Sequence, residues 1–204
     1  MQMRKFFIGF SLLFILLNYT NCLVLGIAAT AATGAVIAEE RSVGSVLDDN
    51  VDVNSIRLGL SKKKEIYKDM HVEVFEGRVL LTGRVDSAED KENLDKLIWP
   101  VSRVIEIINE VDIKKGNQEY YMNNIIQDYW INANIRSKLL FNRKTKSLNY
   151  KIVVYNKKIY FIGVAKSQGE INSLLEVVSN ISGVKKVKSF IILKEDKRRN
   201  KKIS

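Results

Sequence analysis

The chain has 204 residues, 46% hydrophobic and 27% charged, a balance that supports one large folded domain or two small ones and excludes long disorder away from the ends. One cysteine and one histidine exclude an intrachain disulfide, a His/Cys metal site and a nucleophile–histidine–acid set for hydrolysis, so no catalytic residue and no cofactor are expected. The formal net charge of +10 implies an anionic partner, lipid or nucleic acid, since both present dense phosphate.

Arg4-Lys5 precedes an apolar run, Phe6 to Leu17, and then Asn18-Tyr19-Thr20-Asn21 and Cys22. A run of about 12 residues is short of the roughly 20 needed to span a bilayer but fits the core of an export signal. Residues 1–21 are therefore expected to be a signal peptide, and losing Arg4 and Lys5 leaves a charge of 10 − 2 = +8. A cysteine just after such a run resembles a bacterial lipobox, which makes Cys22 the expected lipid anchor. Tyr19 and Asn21 stand where that pattern prefers Leu and a Gly, Ala or Ser. The competing readings are an uncleaved helix running on into Leu23–Ala38 and ordinary cleavage near Ala29 or Ala31; both still export the chain. Acyl chains stabilise insertion by about 0.8 kcal/mol per buried CH₂, so three would anchor the chain essentially permanently. Leu23 in place of Asp resembles lipoproteins sorted to the outer membrane. The expected location is thus the outer membrane, lipid-anchored on its periplasmic face, where nucleic acid is not a partner.

Residues 22–50 read as a tether: apolar but small-residue-rich to Ala38, then polar, with Asp48, Asp49 or Asn50 available to cap a helix beginning near Val51. Beyond it the chain repeats itself. Val74, Gly83, Ser87, Leu94, Ser102 and Val104 recur as Val154, Gly163, Ser167, Leu174, Ser182 and Val184, each 80 residues on (163 − 83 = 80). The apolar pattern moves with them, so both copies share one fold.

Each copy opens with an amphipathic helix, Val51–Ser61 or Ile125–Leu140. A hairpin follows, His71–Phe75 and Arg78–Val85 in the first copy, whose alternation marks a half-buried strand pair turning at Glu76-Gly77. Asn156-Lys157 replaces that turn in the second, and asparagine accepts positive φ with little strain. Second helices span Ser87–Val101 and Gln168–Ile181, with Pro100 ending the first and Trp99 expected in the core. Last strands span Val104–Ile113 and Val184–Leu193. The fold class is α+β: two tandem α-β-β-α-β modules, residues 51–114 and 125–193 with a linker at 115–124, each a three-stranded sheet packed against two helices.

Gly83 with Val85, and Ile181-Ser182-Gly183-Val184-Lys185-Lys186-Val187, resemble the signature of the BON domain, a bacterial periplasmic module of this element order. The resemblance runs from about residue 39 to residue 193, and Arg41-Ser42-Val43-Gly44 with Asp48-Asp49 is similar to the lead-in of dual-BON outer-membrane lipoproteins. Arg103 departs from it, standing where the family has glycine. The resemblance implies a non-enzymatic module that binds phospholipid surfaces and supports outer-membrane integrity.

The helix Ile125–Leu140 carries two apolar stripes. Ile131, Ile135 and Leu139 suit the module's own core, while Ile126, Tyr129, Trp130 and Ala133 lie more than a quarter turn away. The expected membrane-binding set is Ile126, Tyr129 and Trp130 at headgroup level, with Arg136 and Lys138 meeting lipid phosphates. Packing of that stripe on the first copy, or on an envelope protein partner in a scaffold, is the alternative. The first copy has no aromatic equivalent in Ser55-Ile56-Arg57-Leu58-Gly59-Leu60. The basic tail, residues 194–204, reads as solvated and disordered, or as an added attraction for anionic lipid. His71 reads as a surface or core residue without a ligand role.

Overall fold

A computed structural model describes residues 43–101, 103–114, 118–140 and 149–200; Cys22 and the signal-peptide and anchor assignments lie outside them. The first copy contains α1 (Val43–Ser61), a single turn α2 (Lys64–Tyr67), β1 (Met70–Phe75), β2 (Arg78–Val85), α3 (Ala88–Ile98), β3 (Glu106–Asn109) and β4 (Asp112–Ile113). The second contains α4 (Gln118–Leu140), β5 (Tyr150–Tyr155), β6 (Lys158–Ala165), α5 (Gln168–Ser179) and β7 (Lys186–Leu193), and a 3-10 turn, Lys197–Asn200, ends the described chain.

Both sheets have the same order. The hairpin is antiparallel, β1 on β2 and β5 on β6, and the last strand returns parallel to the central one, β3 and β4 on β2 and β7 on β6. The first copy's last strand is broken between Asn109 and Asp112, whereas β7 pairs with β6 along its whole length. Ser87 and Ser167 cap the second helices by accepting from the Asp90 and Glu170 N–H groups.

Glycine recurs at 83 and 163 because the hairpin strands approach too closely for a side chain. A Cβ at Gly83 would lie 2.3 Å from the Asp69 carbonyl oxygen, and one at Gly163 would lie 2.2 Å from that of Asn149. The hairpin turns take positive φ at both central positions, Glu76 and Gly77 at 50° and 74°, Asn156 and Lys157 at 51° and 62°. Lys157 shares the strained conformation expected of Asn156 alone.

The helices cover one face of each sheet. Ile56 and Leu60 meet Val72, Val74, Val79 and Leu81 with Leu94 and Ile98 of α3. Ile131, Ile135 and Leu139 meet Ile159 and Phe161 with Leu174 and Val178 of α5, as the stripe on that helix predicts. A third cluster joins the opposite faces: Phe75, Leu80 and Ile108 of the first copy against Tyr155, Tyr160, Ile162, Val164 and Ile192 of the second. The layers therefore run helices, sheet, sheet, helices. The expectation of half-buried strands fails for β2 and β6, which are buried on both faces because each sheet is the other's lid.

Cations of the second copy and its tail ring this central core, each paired with an acid of the first. Lys151 meets Glu73 at 3.0 Å, Lys158 meets Asp112 at 2.8 Å, and Lys188 meets Glu110. Arg198 reaches Glu106 at 3.2 Å and Arg199 reaches Glu76 at 2.7 Å. Buried Arg78 pairs with Glu106 and donates to the Phe190 carbonyl at 2.7 Å.

Several expectations are corrected. α1 occupies residues 43–50, read above as tether, and α4 occupies 118–124, read as linker. Asp49 does not cap a helix: it lies inside α1, and its carboxylate accepts from the Glu76 and Gly77 N–H groups at 2.9 and 3.2 Å. Trp99 is 58% exposed, because Leu94 and Ile98 take the core positions of α3 and the next residue points about 100° away. The tail through Asn200 is folded back, with Arg198 also holding the Asp196 carboxyl well below the usual carboxylate range.

Candidate functional site

α4 is built to be read from its outer side. Its core face is fixed by Ile131, Ile135 and Leu139 and by Asp128, whose carboxylate accepts from the Asn156 and Lys157 N–H groups at 2.6 Å each. This is the counterpart of Asp49, and in each copy it ties the first helix to the hairpin turn 27 to 29 residues later. Burial holds the Asp128 carboxyl above the usual carboxylate range, and the two N–H donors oppose that shift.

With the core face set, Ile126, Tyr129 and Trp130 are 57%, 75% and 65% exposed, and Ala133 is exposed beside them. At about 100° per residue this stripe lies opposite the core face. It does not pack on the first copy. Arg136 is exposed next to the stripe, its Nε donating to Asn132 at 2.9 Å, while Lys138 is exposed on the other flank, nearer the core side. The expected set is thus brought together at Ile126, Tyr129, Trp130 and Arg136, and Lys138 stands apart from it.

Superposing the copies through Asp49 and Asp128 places Leu47 and Val51 at the positions of Ile126 and Trp130. These are 62% and 57% exposed, and Leu58 continues the line at 64%. The first copy therefore has a weaker apolar stripe, without aromatics, on the opposite outer layer.

The same superposition accounts for the departure at Arg103. In the second copy Gly183, at φ 86°, lies beside Ile131, whose Cδ1 is 3.8 Å from the position a Cβ would take. In the first, Asp52 replaces that isoleucine and Arg103 replaces the glycine. Arg103 keeps a left-handed φ of 69°, and its guanidinium donates to Asp52 at 2.9 and 3.2 Å. The Asp52 hydrogen bonds raise the Arg103 pKa further. One apolar contact has been exchanged for an ion pair with Asp52, joined by a longer one with Asp48 at 3.4 Å.

Between the copies lies a cleft of about 850 Å³ that the sequence did not announce. Its first-copy wall carries Lys68, His71, Arg84, Lys91 and Lys114; its second-copy wall carries Ile125, Tyr129, Val154 and Tyr155. The His71 ring stands 6.3 Å from that of Tyr155. Tyr129 belongs to both the cleft and the exposed stripe. The only available signal was the basic character of residues around the first hairpin, and their convergence depends on pairing of the two sheets. Among the described residues no group of His, Cys, Asp and Glu side chains is placed to hold a metal ion, and no helix is long and apolar enough to cross a membrane.

Residues 40–115 and 127–195 each match the BON domain. The protein described as "Uncharacterized protein in gshII 5'region" of Anaplasma centrale is 36% identical over 134 residues, covering 66% of this chain and 87% of that one. Outer membrane lipoprotein DolP of Haemophilus influenzae is 29% identical over 169 residues, covering 82% and 86%. The 21 kDa hemolysin of Actinobacillus pleuropneumoniae is 30% identical over 151 residues, covering 73% and 76%. Among solved structures, CdsD, a structural protein of the type III secretion system of Chlamydia trachomatis, aligns over 69% of this chain and 91% of its own at 12% identity and a TM-score of 0.29, too remote to inform function. With both copies of the repeat matched, the chain belongs to the BON-domain family and carries two BON domains in tandem.

Proposed function

We propose that the chain is a non-enzymatic, envelope-associated phospholipid-binding protein that lays the outer face of α4 on anionic membrane. The observation that carries this reading is the exposure of Tyr129 and Trp130, 75% and 65%, directly opposite the helix's buried face. Amphipathic aromatic rings are favoured at headgroup level, and Arg136 beside them suits lipid phosphate. Anchoring at the outer membrane through Cys22, on the periplasmic face, fits the name of the DolP relative. Flotation of the full chain carrying Cys22→Ser with phosphatidylglycerol liposomes tests it: Trp130→Ala should lower the bound fraction several-fold. Equal flotation of the two would sink the reading.

A second reading is favoured by Leu47, Val51 and Leu58. They are exposed on the layer opposite α4, where a flat bilayer resting on α4 does not reach. A protein partner in the envelope would suit that face, making the chain a scaffold between membrane and partner. Crosslinking from Val51 in intact cells should then give a discrete protein adduct that survives Trp130→Ala.

A further inference from the structure

We infer that the cleft between the two domains binds the anionic head and first chain segment of a single amphiphile, so that α4 selects membranes and the cleft selects the lipid. This rests on the membrane reading of α4 and adds a second, separable site. Three observations carry it.

The first is charge. The cleft's carboxylates are already engaged: Asp69 accepts from Arg84 at 2.9 Å, Asp112 from Lys158 at 2.8 Å, and Asp128 from two backbone N–H groups. Two of its cations are not matched in this way. Lys68 is exposed with no ion-pair partner among the described residues, and Lys91 donates at 2.6 Å to the Val111 carbonyl, which leaves its charge uncompensated by an acid. The lining therefore carries five lysine and arginine side chains against three carboxylates, a formal surplus of 5 − 3 = +2.

The second is the opposite wall. Ile125 and Tyr129 are 43% and 75% exposed, and with Val154 they give the second-copy wall apolar surface among Asn124, Asn132 and Asn156, while Ile113, 39% exposed, adds an apolar residue beside Lys114 on the first-copy wall. A phosphate or carboxylate alone would leave that side wet, whereas a head joined to an alkyl chain contacts both. The third is scale and position. About 850 Å³ lies within the range of sites that enclose a small molecule, and Tyr129 makes the apolar wall continuous with the stripe proposed to touch the bilayer. A lipid at the membrane surface would reach the cleft without leaving its neighbours entirely.

The single histidine of the chain lines this cleft, so its imidazole is a private reporter. The test uses the full chain, labelled with ¹³C at histidine Cε1, in phosphatidylcholine nanodiscs, titrated with dihexanoyl phosphatidylglycerol. The His71 resonance should shift saturably, dihexanoyl phosphatidylcholine should leave it in place, and Lys68→Gln with Lys91→Gln should weaken the response at least tenfold. In the Cys22→Ser background, Trp130→Ala should lower liposome flotation several-fold while leaving the titration intact, which separates failure of the cleft from failure of the α4 reading. An unmoved His71 signal, an equal response to phosphatidylcholine, or an unweakened response in the lysine variant overturns the proposal. Inorganic phosphate binding as tightly as the lipid would overturn the chain-binding half, and a glutamate-rich peptide displacing the lipid at lower concentration would reassign the cleft to protein.

Discussion

Replacing Arg103 by glycine sets two opposed effects against each other. At φ 69° a non-glycine residue pays about 1–2 kcal/mol, so on backbone grounds alone glycine would stabilise the turn. Against this, the Asp52 side chain is 3% exposed and would lose both guanidinium hydrogen bonds. Breaking a buried ion pair by removing one partner costs about 3–5 kcal/mol, and because Arg103 is itself 33% exposed the lower end applies, about 3 kcal/mol. The ion pair wins. Arg103→Gly should destabilise by about 3 − 1 = 2 kcal/mol, a fall in Tm of about 4–8 °C for a folded unit of this size. Adding Asp52→Ile recreates the Ile131–Gly183 contact of the second domain and should bring Tm back to within about 2 °C of the starting chain. Calorimetry of the parent, both single variants and the double variant, all on the full chain carrying Cys22→Ser, completes the cycle. A neutral or stabilised Arg103→Gly, or a double variant no better than it, refutes the reasoning.

Gly163→Ala forces a Cβ to 2.2 Å from the Asn149 oxygen and 2.9 Å from the Tyr150 Cα, both backbone atoms, and should cost about 1–3 kcal/mol or more in urea unfolding. Tyr160→Phe keeps the ring between the sheets and removes a buried hydroxyl that has no hydrogen-bond partner among the described residues. An unsatisfied buried polar group costs about 1–3 kcal/mol, so the denaturation midpoint should rise. Asp128→Asn probes linkage. Since burial raises the carboxyl's pKa in the folded state, the folded chain takes up this proton before the unfolded chain does, and stability from this group falls as pH rises from about 4 through the raised value. The asparagine variant should therefore gain stability relative to the parent between about pH 4 and pH 7, and a constant difference in unfolding free energy would contradict the shift.

The local fold was legible because each element of one copy carries its own signal: turn residues at 76–77 and 156–157, a glycine recurring at 83 and 163 where backbones meet, and apolar residues at helical or alternating spacing between them. The two stripes of α4 were also legible, since Ile131, Ile135 and Leu139 recur at helical spacing. The start of α1 was not. Asp48-Asp49-Asn50 looks like a cap, but the partner of Asp49 is a turn 27 residues away, and spacing within a helix says nothing of that. The packing of sheet on sheet left one trace, the nearly unbroken apolar run Ile159–Ala165, which marks a strand covered on both faces. The cleft left only the basic character of the residues around the first hairpin, because Lys68 and Tyr129 come to line one volume only after the sheets have paired. The exchange of Ile131–Gly183 for Asp52–Arg103 appears in the sequence merely as a missing glycine.

Two domains of one fold in one chain face a recognition problem: a second copy could equally seek another second copy, on this molecule or a neighbour. The ion pairs around the central core bear on this. Lys151, Lys158 and Lys188 belong to one sheet and Glu73, Asp112 and Glu110 to the other, so the two partners are oppositely signed. Pairing like with like would set lysines against lysines, or acids against acids, around an apolar face, and such juxtapositions cost several kcal/mol. Individually these half-exposed pairs add little stability. Collectively they give the duplication a handed address, so that a first-copy sheet takes a second-copy sheet as its partner and not another of its own kind.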